Sequence, residues 1–215
     1  MTTAVEPLVW TAVDLAERFG PIALDRIVSP PKPGLATEDD AVEWNERHRR
    51  RCELVDGILV EKVMGAYESM LAIEIARLIK NFAKPRKLGT VLGEAGLLKL
   101  AAGLIRIPDV AFLSMDKFPG GRFPREAAIP LAPDIAVEVL SPGNTTKEMA
   151  DKLHDYFNAG ARLVWYVDPK KRQVEVFVSP ESRRTLTQDQ LLDGGEVLPG
   201  FELSLKELFA ELPPA

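Results

Sequence analysis

Pro133–Asn144 reads PDIAVEVLSPGN. Its centre, Asp134–Leu140, is a short β-branched run closed by the breaker pair Pro142-Gly143, the pattern of a buried strand. Alternate residues of a strand face the same way. Ile135, Val137 and Val139 therefore share one face, and Asp134, Ala136, Glu138 and Leu140 share the other. Glu138 interrupts that second face near the strand's C-terminal end. A carboxylate there is costly without a partner, and ligand sites of α/β sheets favour such strand ends.

Upstream, Ile107–Ser114 (IPDVAFLS) is a second strand-like run, with Asp109 at its mouth. Asp109 follows Pro108, and proline tolerates only the start or edge of a strand. If the two strands are neighbours, both carboxylates converge on one hard cation. Mg²⁺ takes one or two carboxylates, completed by backbone carbonyls and waters. Downstream, Thr145–Ala159 has helical spacing and stops at Gly160. At about 100° per residue, Met149, Leu153, Tyr156 and Phe157 form its apolar stripe, Asp151 faces away, and Lys152 lies about 60° off the stripe's centre. From that flank an ammonium can reach the sheet's end, where a cation stabilises charge developing in phosphoryl transfer. Each residue also has a plainer reading. Lys152 can pair on the surface with Glu148, four positions earlier. Asp109 can form a turn after proline, and Glu138 can be a buried carboxylate paired with an arginine.

The crossover continues into a strand pair, Arg162–Val167 and Gln173–Val178, around Asp168-Pro169. Towards the N-terminus, CELVDGILVEKV (Cys52–Val63) alternates about Asp56-Gly57, a strong hairpin signal. A long helix is expected over Ala66–Phe82, with Met70, Ile73 and Leu78 along it. Gly89–Gly93, Gly96–Ala101 and Ile105–Ser114 read as three strands, and Asp116–Pro133 as a loop. A tail helix, Leu203–Leu212, presents Leu205, Leu208 and Phe209, either to the core or to an interface. Before the hairpin, Trp10–Phe19 has helical spacing, Ser29–Leu35 is rich in proline and glycine, and Thr37 caps a helix over Glu38–Arg50. The order predicts an α/β fold: a mixed β-sheet flanked by helices over residues 51–215, with an N-terminal helical extension over residues 1–50.

The 215 residues are 46% hydrophobic and 27% charged, ordinary for a globular chain able to bury a core. Cys52 is the single cysteine, so an internal disulfide and a cysteine-based zinc cage are excluded. No GxSxG elbow, HExxH pair or glycine-rich phosphate loop is present, which leaves a small-molecule hydrolase with little support. The net charge of −5 is awkward for a nucleic-acid-binding protein unless charge is segregated. Arg47–Arg51 and Lys80–Lys87 are local basic clusters, read either as solvated helix ends or as phosphate contacts. No apolar run is long enough to span a bilayer, and Met1–Trp10 lacks a leader's charged-then-apolar pattern, so no membrane partner and a cytoplasmic location are expected.

The order Pro108-Asp109, then Glu138-Val139-Leu140, is similar to the PD-(D/E)XK signature of restriction-endonuclease-like nucleases. The whole block Glu138–Pro169, EVLSPGNTTKEMADKLHDYFNAGARLVWYVDP, resembles the Uma-two family of endonucleases. The EVLSP run, Asp151-Lys152 with Tyr156, Ala159-Gly160 and the turn from Trp165 to Pro169 carry the likeness, joined by CELVDGILVEK and RIPDVAFLS. The resemblance implies an endonuclease that hydrolyses DNA with Mg²⁺, for which Mn²⁺ substitutes. It implies Asp109 and Glu138 as metal-binding carboxylates, with the Val139 carbonyl completing the shell. Leu140 stands where the signature has its lysine, so Lys152 from the following helix is implied as the replacement cation. Glu53 matches an acidic position and is implied as an accessory catalytic acid. Glu94 is a weaker candidate ligand, with a loop role as the alternative. Homodimers are implied, since two strands must be cut. The competing expectation is a catalytically degenerate module on the same scaffold that binds nucleic acid or protein.

Overall fold

In a computed structural model, residues 10–210 are described. Residues 1–9 of the leader reading, and Glu211 and Leu212 of the tail helix, lie outside them. Two sheets and a hairpin form the architecture. The first sheet joins β1 (Cys52–Val55), β2 (Ile58–Glu61), β4 (Leu97–Ala101), β5 (Leu104–Arg106) and β7 (Ala128–Ile129) in the order β2-β1-β5-β4-β7. The second joins β3 (Gly89–Gly93), β6 (Val110–Ser114), β8 (Ile135–Val139), β9 (Leu163–Asp168), β10 (Gln173–Ser179) and β11 (Ser182–Thr187) in the order β11-β10-β9-β8-β6-β3. A separate hairpin pairs β12 (Leu191–Gly194) with β13 (Leu198–Ser204). The helices are α1 (Ala12–Phe19), α2 (Glu38–Arg47), α3 (Ala66–Ala83), α4 (Thr146–Asn158) and α5 (Leu205–Ala210).

The β1–β2 hairpin turns at Asp56 and Gly57, both with positive φ (51° and 70°). That geometry matches a turn needing left-handed backbone at both central positions, which Asp-Gly supplies. Strand β8 pairs antiparallel with β6 on one side and parallel with β9 on the other. The parallel pair requires a crossover, and α4 is that crossover. The Thr145 hydroxyl accepts the Glu148 N–H, and the Glu148 carboxylate answers the Thr145 N–H, a capping box.

The alternation read in Asp134–Leu140 decides the layers. Ile135, Val137 and Val139 enter the main core with α3, α5 and the fully buried Trp165. Ala136 faces α4, where it meets Met149, Leu153 and Tyr156. Leu205, Leu208 and Phe209 are buried in the main core.

Four expectations need correction. Ile105–Ser114 is not one strand: it leaves the first sheet at Arg106 and enters the second at Val110. Pro108 has no N–H to give a ladder, and the Ile107 N–H donates instead to Glu53 Oε1 (3.0 Å). Helix α2 ends at Arg47, where the His48 backbone turns extended, so Arg49 and Arg50 lie beyond it. On α3 the buried stripe is Leu71, Ala72, Ile75, Ile79 and Ala83, while Met70 and Ile73 are exposed. Residues 182–204 hold three strands that the sequence pattern hid. In β11 only Leu186 is buried, so its apolar alternation is faint.

The N-terminal arm is seated on this frame. Leu15, Phe19 and Ile22 pack on Val55, Ile58 and Val60 of the first hairpin. Arg26 grips Glu148 with two hydrogen bonds, 2.6 and 3.0 Å. The Thr145 hydroxyl donates to the Phe19 carbonyl at 2.6 Å.

Candidate active site

The break at Ile107–Asp109 sets Asp109 where one sheet hands the chain to the other. Val110 pairs with Val137, so the preceding Asp109 falls opposite Glu138. From the first sheet, β1 carries Glu53 and β5 carries Arg106 to the same place. Lys62 follows the last residue of β2, and α4 supplies Lys152 and Tyr156. The side chains of Glu53, Lys62, Arg106, Asp109, Glu138 and Lys152 are all nearly inaccessible.

Each oxygen has its own partner. Asp109 Oδ2 accepts the Val139 N–H at 2.6 Å. Asp109 Oδ1 lies 2.6 Å from Lys62 Nζ, an ion contact, yet receives no well-directed hydrogen bond. Glu138 Oε1 accepts the Tyr156 hydroxyl at 2.5 Å and faces Lys152 Nζ at 3.3 Å. Glu138 Oε2 stands 3.7 Å from Lys62 Nζ. Glu53 Oε1 meets Lys152 Nζ at 3.0 Å, and Glu53 Oε2 meets Arg106 Nη1 at 2.8 Å. Arg106 turns its other edge to Asp155 Oδ2 at 2.5 Å.

Burial drives the electrostatics. It pushes the Glu138 carboxyl above its ordinary value, helped by Asp109 and Glu53, against the pull of Lys152 and Lys62. Glu53 is equally buried, but Lys152, Arg106 and Lys62 outweigh that cost and hold its carboxyl at about 2. Burial opposes charge on Lys152, and Glu138 and Glu53 overcome it, so the ammonium stays charged. Lys62 is likewise raised, because Asp109 and Glu138 outweigh its desolvation. Tyr156 is raised far above a free phenol by burial and by Glu138, so it remains a donor.

All four residues singled out for catalysis, Glu53, Asp109, Glu138 and Lys152, gather in this cluster, and Val139 joins through its amide. The surface pair Glu148–Lys152 does not form: Glu148 is held by Arg26 and Lys152 turns inward. The arginine expected beside Glu138 is instead Arg106 beside Glu53. Glu94 is exposed in a turn, and buried Cys52 has its thiol pushed up to about 12 by desolvation, which leaves it unreactive. Lys62 and Arg106 were missed. Lys62 carried a signal: it follows Ile58 and Val60 on one face of an apolar strand, an expensive place for an ammonium.

Among the described residues no group of three or more His, Cys, Asp and Glu side chains stands as a metal cage. Two carboxylates and a backbone carbonyl are brought together instead. Asp109 Oδ1, Glu138 Oε2 and the Ile107 carbonyl face one point, and the Lys62 ammonium contacts all three. Two carboxylate oxygens and a carbonyl are the donor chemistry of Mg²⁺, and the unsatisfied buried Oδ1 retains capacity for a ligand. These residues fit such an ion at that point once the ammonium vacates it.

A polar pocket of about 320 Å³ reaches this cluster at Lys62 and is lined also by Arg49, Arg50, Arg51, Ser69 and Glu94. A larger groove of about 920 Å³, lined by Leu140, Tyr67, Met149 and Lys170 among others, holds none of the cluster's charged groups.

The two sheets with a parallel crossover through α4, and carboxylates converging at the junction, define a restriction-endonuclease-like α/β protein. Residues 38–206 match the Uma2 family, described as "Putative restriction endonuclease". The chain belongs to the Uma2 family. A solved structure described as a "putative nuclease belonging to DUF820 from Anabaena variabilis ATCC 29413" is similar in fold: TM-score 0.67, 21% identity, covering 76% of this chain and 92% of that one. No curated protein matches the chain. Among the described residues no helix is long and apolar enough to cross a membrane.

Proposed function

We propose that the chain is a nuclease that hydrolyses phosphodiester bonds in DNA with a divalent metal ion, Mg²⁺ in the first place and Mn²⁺ as its substitute. One observation carries the reading: Asp109 and Glu138, from adjoining strands, turn one oxygen each towards a single point beside a basic pocket. Membership of a family described as restriction endonucleases supports the same chemistry.

In this reading Asp109 and Glu138 hold the ion, with the Val139 carbonyl as a further donor. Bound there, it would acidify water and offset charge on the scissile phosphate. The protein's own groups do the rest. The Val139 N–H and the Tyr156 hydroxyl each occupy one carboxylate oxygen, so the other is fixed in direction. Lys152 opposes the upward push of burial on the Glu138 carboxyl and is the cation assigned to the developing negative charge. Glu53 balances Lys152 and Arg106 and orients both. Arg49, Arg50 and Arg51 line the way in, where a phosphate backbone would be neutralised. Residues 51–215 are the proposed nuclease unit and residues 1–50 its extension. The proposed assembly is a homodimer, measurable by light scattering.

A second reading, a non-catalytic module, takes support from Leu140 at the signature's lysine position and from an ammonium standing between the carboxylates. Supercoiled plasmid and a single-stranded circle, incubated with Mg²⁺ or Mn²⁺, separate the two. Nicking by the wild type that is lost in Glu138→Ala and Asp109→Ala supports the nuclease. Absence of nicking, together with absence of metal binding, moves the assignment to the module.

A further inference from the structure

Lys62 has no role in the mechanism above, yet it occupies the most significant point of the site. Its ammonium contacts Asp109 Oδ1 at 2.6 Å, the Ile107 carbonyl, and Glu138 Oε2 at 3.7 Å. These are oxygen donors that a divalent cation would use. Its side chain is 6% exposed and borders the polar pocket. Lys152 differs: it lies deeper, between Glu53 and Glu138 Oε1, and does not line that pocket.

We propose that Lys62 is a tethered cation that stands in for the metal and is exchanged for it. The proposal rests on the metal-binding reading of Asp109 and Glu138. The formal charge count favours the exchange. Glu53, Asp109, Glu138 and Asp155 face Lys62, Arg106 and Lys152, one negative charge in excess. Replacing the ammonium by a divalent ion makes the group neutral. Adding the ion beside the ammonium would instead crowd like charges onto the same oxygen, in a place where water cannot screen them. A lysine suits this part: it is a compact point charge on four rotatable methylenes, not a planar fork. The released ammonium has somewhere to go. The pocket beside it holds Glu94 and Ser69, and there the charge would join Arg49–Arg51 on the path proposed for a phosphate backbone.

The seat is therefore filled in the metal-free protein, which keeps two buried carboxylates from repelling each other. Metal affinity is reduced by the work of moving Lys62. The test is calorimetric titration of Mn²⁺ into the wild type, Lys62→Met and Asp109→Asn. Lys62→Met should bind Mn²⁺ at least about tenfold more tightly than the wild type, and Asp109→Asn should bind least. Equal or weaker binding by Lys62→Met, with measurable binding by the wild type, overturns the exchange but leaves the metal site standing. Absence of binding in both proteins overturns the metal reading and the exchange with it. A second measurement needs no variant: reductive methylation of the wild type followed by peptide mass mapping. Lys62 should be protected without Mn²⁺ and labelled with it; labelling that Mn²⁺ leaves unchanged overturns the proposal.

Discussion

Replacing Lys152 by methionine is the sharpest probe of the buried charge network, because it conserves volume and removes only the ammonium. Lys152 Nζ lies 3.0 Å from Glu53 Oε1 and 3.3 Å from Glu138 Oε1. At an effective dielectric of about 20, each contact is worth about 5 kcal/mol before desolvation. Burying the ammonium costs several kcal/mol, so the intact group contributes far less than the sum. Its removal, however, leaves two carboxylates short of a counter-charge, and breaking such a group costs about 3–5 kcal/mol. Urea unfolding followed by far-ultraviolet circular dichroism should show that loss at pH 7. The sign with pH follows from the carboxyls. Without Lys152 their folded pKa values rise, and a carboxyl raised on folding favours the folded state as pH falls. The gap between variant and wild type should therefore narrow between pH 7 and pH 5. Adding Glu138→Gln to Lys152→Met should restore about 1–3 kcal/mol. A loss below about 1 kcal/mol, equal at both pH values, would mean that Lys152 is solvated and would refute this account of the cluster.

Three further outcomes are expected. Glu53, held at about 2 against an ordinary 4.5, stabilises the fold above pH 4.5 and loses that contribution as pH falls towards 2; Glu53→Gln should flatten the stability curve in that window, and an unchanged slope in urea titrations would contradict the assignment. Thr145→Ala removes both the cap of α4 and the bond to the Phe19 carbonyl, so it should cost about 2 kcal/mol in urea unfolding, with Thr145→Ser largely restoring it. If DNA is the ligand, Arg49→Ala should weaken binding uniformly across sequences and lower the slope of log affinity against log salt by about 1; a slope that stays the same would remove Arg49 from the phosphate path.

How much was legible in the sequence follows from what each residue pays. Glu138 announced itself because a carboxylate in an apolar alternation is costly, and period-2 patterning placed it on the face towards α4. Lys152 could not be decided from its spacing. A position at the flank of a helical stripe turns in or out according to what the neighbouring strands offer, and Glu53 lies 99 positions away in sequence. Arg106 was unreadable for a related reason, and the signal at Lys62 was easily overlooked. Arg106 ends a short strand and Lys62 directly follows one, where a basic residue ordinarily meets solvent, and only the junction of the two sheets turns those positions inward. Strands β11 to β13 failed differently: polar edges and the Pro199-Gly200 pair erased the periodicity on which strand recognition depends.

The seating of the N-terminal arm has a consequence for the protein's synthesis. Phe19 and its partner Thr145 are separated by 126 positions along the chain, and Arg26 and Glu148 by 122. At translation rates of about 5–20 residues per second, roughly ten seconds pass between the emergence of the two halves of each contact. Throughout that interval Arg26 and the Phe19 carbonyl are without the helix that will satisfy them. The arm is thus made well before it can be fully locked in place, and its docking reports that the ribosome has delivered α4, the helix that bears Lys152.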